Sequence, residues 1–220
     1  MLTTATTEDR AIQSLGASST AIYRMVADTL ASHRISGQIV LDVGCGTGSL
    51  LKYVDSKFST YLGADVLRYP DFPGHLDFIK VDLDSGRVPL PDEFADTVVS
   101  VETIEHLENP RSFVRELARL AKPGGEVIVT TPNQLSLLST ATLILKGQFS
   151  AFQNTNYPAH ITALLEIDLR RIFQECGLKV DAICYSHSGR IPLTPRHYPL
   201  GITKLAPRLL SDNILVLGHK

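Results

Sequence analysis

Tryptophan is absent from the 220 residues, methionine occurs twice, and cysteine only three times, at Cys45, Cys176 and Cys184. An odd count with no C-x-x-C pair argues against both a disulfide framework and a thiolate zinc site, and fits a reducing compartment. Neither sign of charge is in real excess. With 21 basic and 23 acidic residues the formal charge is −2, so the summed field gives no reason to expect a nucleic-acid partner. A bilayer-spanning apolar run is also missing, since the longest apolar-leaning stretch is LSLLSTATLIL at 135–145. The start, MLTTATTEDRA, has neither the basic nor the apolar region of a secretory leader. The expectation is a soluble cytoplasmic protein without a membrane span.

What is present is an ordinary globular composition, 44% hydrophobic and 20% charged, of a length suited to a single domain over 1–220. Short apolar runs alternate with helical patterns, which predicts an α/β fold with helices on both faces of a sheet. The strands are expected at QIVLDV (38–43), TYLGAD (60–65), DFIKVD (77–82), ADTVVSV (95–101), EVIVTTP (126–132), LKVDAICYS (178–186) and NILVLGH (213–219). RSFVRELARLA (111–121) has helical spacing, with Asn109 as N-cap and Pro110 at the first helical position. EIDLRRIFQECGL (166–178) reads as a second helix stopped by Gly177, and residues 1–36 hold two weaker helical patterns. Two segments fit no regular element well: 133–160 and the proline-rich 187–211. In an α/β enzyme such insertions usually form a lid and substrate walls, and together with the N-terminal helices they are expected to cover the crevice at the end of the sheet.

LDVGCGTGSL (41–50) follows the first strand and opens a helix, and its Gly44, Gly46 and Gly48 permit a tight turn and close approach of a ligand to the backbone. Its G-x-G-x-G spacing departs from the G-x-G-x-x-G of nicotinamide-dinucleotide sites, and Asp42 precedes the first glycine by two residues. With its neighbours this loop resembles the cofactor loop of class I S-adenosylmethionine-dependent methyltransferases. Asp65 ends the second strand, Asp82-Leu83 the third, and LARLAKPGGEVIVTTPN (117–133) is similar to that family's helix, Pro-Gly-Gly turn and fifth strand. The resemblance is close over about 38–132. It implies a doubly wound, seven-stranded, mostly parallel sheet with the last strand antiparallel, and S-adenosylmethionine as cofactor. The implied cofactor-binding residues are Asp42, Gly44, Cys45, Gly46, Gly48, Asp65 at the ribose, Val66, Asp82 and Leu83 at adenine, and Val101. Asp82 could equally cap a turn, and Cys45 reads as a small spacer.

VETIEHLENP (101–110) sets two carboxylates and an imidazole just past the fourth strand, where a doubly wound sheet opens its crevice. If Glu102 opens a helical turn, Glu105 and His106 share its face. Three readings stand: a solvated turn, His106 as general base with Glu102 beside it, or metal ligation of a hard ion such as magnesium or manganese. For the last there is a family counterpart. E-x-x-E-H with a later histidine resembles the ubiquinone-biosynthesis O-methyltransferases and the small-RNA terminal 2′-O-methyltransferases, which implies Glu102, Glu105, His106 and His160 as ligands. PAHIT around His160 lacks the aromatic and acidic residues of the RNA enzymes. The expectation is therefore O-methylation of a small-molecule hydroxyl, with LSLLSTATLILKGQF (135–149) as an apolar wall over the site. The alternatives are an RNA 2′-O-methyltransferase, a non-catalytic binder of the cofactor, and a nicotinamide oxidoreductase.

Overall fold

The structure is a computed structural model that describes residues 5–220; residues 1–4, part of the start read above for a leader, lie outside it. The strands are β1 (Gly37–Val43), β2 (Phe58–Asp65), β3 (Asp77–Lys80), β4 (Ala95–Ser100), β5 (Ala121–Pro132), β6 (Lys179–Tyr185) and β7 (Asn213–His219). They form one sheet in the order β3-β2-β1-β4-β5-β7-β6. The first five pair in parallel, and β7 runs antiparallel to both β5 and β6. This is the doubly wound sheet with an antiparallel last strand that the family resemblance implies.

The helices are α1 (Thr7–Ser14), α2 (Thr20–Ser32), α3 (Leu51–Val54), α4 (Pro110–Leu120), α5 (Leu137–Lys146), α6 (Glu166–Glu175), α7 (Leu200–Leu205) and α8 (Pro207–Leu210). Successive side chains of a strand point to opposite faces, so Leu41 and Val40 enter different layers. On one face α4 and α6 supply Phe113, Val114, Leu117, Leu169, Ile172 and Phe173. On the other, α2 supplies Ile22, Met25, Val26 and Leu30. Each such side chain contributes about 1.5–3 kcal/mol of burial, which is why the strands read as near-continuous apolar runs. Asn109 caps α4 as expected, its side-chain oxygen accepting the Ser112 N–H at 3.0 Å.

Three local expectations need correction. The Pro123-Gly124-Gly125 turn is a bulge inside β5: Ala95 pairs with Ala121 and Thr97 with Glu126, so residues 122–125 loop out of the ladder. The helix opened by the glycine loop amounts to the four residues of α3. Segment 133–160, expected to be irregular, contains the ten-residue helix α5, started by the Ser136 hydroxyl accepting the Ser139 N–H at 3.1 Å.

Candidate active site

In the sheet order the strands run outward from β1 to β3 on one side and from β4 on the other. The crevice therefore opens between the carboxyl ends of β1 and β4, at the topological switch point. A cavity of about 300 Å³ occupies it, walled by the glycine loop, the residues just past β4, and α1 with the segment leading into α2.

Gly44 and Gly46 hold left-handed backbone at φ +78° and +51°. A Cβ on Gly44 would meet the Thr103 side chain, and one on Gly46 would strike the carbonyl oxygen of Gly16. Glycine is thus required twice, by conformation and by space. Gly48 shares the positive φ at +72° without lining the cavity. Asp65 lines it, with one carboxylate oxygen accepting the Gly46 N–H at 2.8 Å and the other the Val66 N–H at 2.7 Å. Burial pushes its pKa up, against the opposing pull of these N–H groups. In Asp42, Oδ2 accepts the Tyr61 hydroxyl while Oδ1 is buried with no partner. Burial drives that carboxyl up to about 7, the Tyr61 hydrogen bond opposing and the nearby Asp65 adding. Burial also raises the Cys45 thiol, reinforced by Asp42 and Asp65, so it is a lining atom and not a thiolate.

Val66, Leu83 and Val101 supply apolar wall. Asp82 lies outside that wall and instead accepts the Asp84 N–H at 3.0 Å and the Ser85 hydroxyl at 2.8 Å. Burial raises its pKa, but the bonds from Ser85 and Asp84 outweigh this and lower it. It caps the turn after β3.

Glu102 does not open a helical turn. It sits at φ +50°, and the 3₁₀ turn that follows spans only Ile104–His106. Its oxygens accept the Thr130 hydroxyl at 2.9 Å and the Asn213 amide at 2.8 Å, which draw it toward β5 and β7. Glu105, fully buried, accepts the Thr131 hydroxyl at 3.2 Å through Oε2, while Oε1 has no partner. Burial pushes both glutamates above the usual carboxylate range, and Glu102 is raised further by repulsion from Glu105.

His106 places Nδ1 2.8 Å from the Ala159 carbonyl, so Nδ1 carries the proton and Nε2 keeps its lone pair. The same strand of loop brings His160 edge-on to His106, with ring centroids 4.8 Å apart. His160 Nδ1 is buried and unpartnered. Burial lowers the pKa of both rings, that of His160 to about 4 with help from His106. Glu105, His106 and His160 each offer a ligand atom, all within 4.8 Å of one another; Glu102 lines the cavity but stands outside this trio.

Sequence reading expects helices in the N-terminal segment but names none of the residues that line this side of the cavity, among them Arg10, Gly16, Tyr23 and Tyr69. Buried Arg10 pairs with Asp84, and lies 3.6 Å from Glu108. The Gly16 carbonyl accepts the Thr47 N–H at 2.8 Å, and the Tyr69 hydroxyl donates to the Ala11 carbonyl at 2.5 Å. No motif marks these residues, because their partners are remote in sequence. The expected apolar wall is also not here: within 133–160 only His160 reaches the cavity.

A glycine turn and acidic strand ends converging at the switch point of a sheet in this order define a class I methyltransferase architecture. A model of the methyltransferase domain matches residues 20–183. A probable S-adenosylmethionine-dependent methyltransferase of Mycolicibacterium smegmatis is 30% identical over 187 residues, covering 82% of this chain and 68% of that protein. A ubiquinone biosynthesis O-methyltransferase of Dechloromonas aromatica is 33% identical over 109 residues, and the chain spans about half its length, 47%. Among solved structures, a SAM-dependent methyltransferase from Archaeoglobus fulgidus superposes with TM-score 0.63 at 19% identity, covering 90% of this chain and 94% of that one, a likeness of fold. The chain belongs to this methyltransferase family and is an S-adenosylmethionine-dependent methyltransferase.

Proposed function

We propose that the chain methylates a hydroxyl of a small-molecule acceptor, and that Glu105, His106 and His160 face that hydroxyl. The observation that carries this reading is the pair of buried, unpartnered atoms Glu105 Oε1 and His160 Nδ1 beside the His106 ring. Buried polar atoms without partners are uncommon, and three ligating groups converging at one cavity call for an occupant. The donor set of one carboxylate and two neutral imidazoles fits a divalent transition-metal ion such as manganese better than magnesium, which prefers oxygen ligands. When bound, such an ion supplies Lewis acidity that lowers the pKa of a hydroxyl.

The residues fit the methyl donor as well. Asp42 Oδ1, unpaired and buried, is set to receive its ammonium group. Asp65 keeps lone pairs for two ribose hydroxyls, and Val66 and Leu83 form an apolar slot for adenine. In the reaction the acceptor oxygen forms a bond to the methyl carbon while the carbon–sulfur bond breaks, its electron pair returning to sulfur. Holding oxygen, carbon and sulfur in line is the protein's main task and accounts for about 7–11 kcal/mol of barrier.

A second reading has its own support. The Ala159 carbonyl fixes the His106 tautomer with Nε2 unprotonated, the form needed to take the hydroxyl proton directly. Incubation with labelled S-adenosylmethionine and a metabolite extract, with and without chelator, separates the two. The metal reading expects turnover to fall at least 100-fold with chelator and in Glu105→Gln. Chelator-resistant turnover lost only in His106→Ala leaves the base reading standing. Label found only on amines or carbons contradicts hydroxyl methylation.

A further inference from the structure

The two insertions that leave the crevice end of the sheet turn their polarity inside out. α5 reads LLSTATLILK, yet its buried residue is Ser139, whose hydroxyl donates to the Gln134 side chain at 3.3 Å. Ile144 and Leu145 stand 77% and 73% exposed. α7 repeats the arrangement: Thr203 is buried, donating to the His187 and Leu200 carbonyls, while Leu205 is 85% exposed. Leu193 in the loop before it is 96% exposed, and Ile202 and Leu209 also face outward. The two insertions meet at their feet, where the Asn133 amide donates to the Arg208 and Ser211 carbonyls at 2.7 and 2.8 Å. An amphipathic helix in water normally does the reverse.

Charge on these segments is as one-sided as the apolarity. Residues 133–165 and 187–211 carry Lys146, Arg190, Arg196, Lys204 and Arg208 and not one aspartate or glutamate. The rest of the chain therefore holds 16 basic against 23 acidic residues, and the near-zero net charge conceals the asymmetry. Glu166, 3.7 Å from Arg208, and Asp212, which accepts the Arg190 backbone N–H at 2.9 Å, are the acids at the border.

We propose that this face docks on an anionic lipid bilayer, with the leucines and isoleucines of α5, α7 and the 187–199 loop entering the interface and the lysines and arginines meeting phosphate headgroups. Exposed leucine and isoleucine beside basic residues is the composition of an interfacial anchor. A surface for single-stranded nucleic acid would instead present several aromatic stacking groups with its charge, whereas the large exposed apolar side chains of these segments are leucine and isoleucine apart from Tyr157. No helix among the described residues is long and apolar enough to cross a membrane, so the attachment is peripheral.

The test is co-sedimentation of the full chain with phosphatidylcholine vesicles containing 0 or about 30% phosphatidylglycerol, the range in which surface potential attracts basic segments. Binding is expected only with the anionic lipid, and to weaken as salt rises. Each of Arg196→Ala and Lys204→Ala should weaken it roughly fivefold. Ile144→Asp with Leu145→Asp should abolish it while leaving circular dichroism and S-adenosylhomocysteine binding unchanged. Equal binding to neutral vesicles, no binding to either, preference for added RNA, or a dimer in light scattering that Ile144→Asp splits would each overturn the proposal.

Discussion

Replacing Gly46 by alanine tests how the N-terminal segment is joined to the crevice, and its cost can be worked from the backbone. Gly46 holds φ +51°, a left-handed conformation that costs an L-residue about 1–2 kcal/mol. Its new Cβ would also occupy the position of the Gly16 carbonyl oxygen. That carbonyl accepts the Thr47 N–H at 2.8 Å, so moving it forfeits a hydrogen bond worth about 0.5–1.5 kcal/mol. Together the loss is about 1.5–3.5 kcal/mol. Gly124→Ala is the internal control, because Gly124 has φ +75° but nothing within 4 Å of a Cβ. It should cost only the conformational share, about 1–2 kcal/mol, and the change in unfolded-chain entropy is common to both variants. Urea denaturation measures the difference directly. Gly46→Ala should be the weaker by about 1 kcal/mol and should also be cut faster by protease within 15–19, as the segment lifts from the loop. Equal midpoints and equal cleavage would refute the contact between Gly16 and the glycine loop.

Other perturbations follow from the same geometry. The Asp42 carboxyl, raised to about 7, is largely protonated below that pH and receives an ammonium group only once ionised. Affinity for S-adenosylhomocysteine measured by calorimetry should therefore weaken roughly tenfold per unit as pH falls below 7, and Asp42→Asn should flatten the profile. The same raised pKa means that the folded state retains a proton the unfolded chain releases, so this group lowers stability as pH rises from about 3.8 to about 7. Asp84→Ala leaves the buried Arg10 guanidinium only the longer contact with exposed Glu108 as a carboxylate partner and should cost about 3 kcal/mol, whereas Arg10→Met combined with Asp84→Leu should recover most of it in thermal unfolding. Leu117→Ala, fully buried in α4, should lose about 2–5 kcal/mol with no change in cofactor affinity.

The sheet was legible because its strands are buried on both faces and so announce themselves as apolar runs. Order and direction came with the family resemblance, and NILVLGH is indeed antiparallel. Glu102 departs from the helical turn expected of it because Thr130 and Asn213 hold its carboxylate, the second of them 111 residues away. No spacing rule within VETIEHLENP contains that information. Arg10 carries no local signal for the same reason, since its carboxylate partner Asp84 lies 74 residues on. LSLLSTATLILKGQF differs in the opposite direction: its apolarity predicts a wall over the site, and the structure leaves Ile144 and Leu145 in the open.

The most direct measurement is a calorimetric titration of S-adenosylhomocysteine into the wild-type protein and into Asp65→Ala. Binding at a single site is expected, weakened about tenfold or more in the variant through loss of hydrogen bonds from the ribose to a charged acceptor. Absence of binding to the wild type, or equal affinity in Asp65→Ala, would contradict the placement of the methyl donor between the glycine loop and the end of β2.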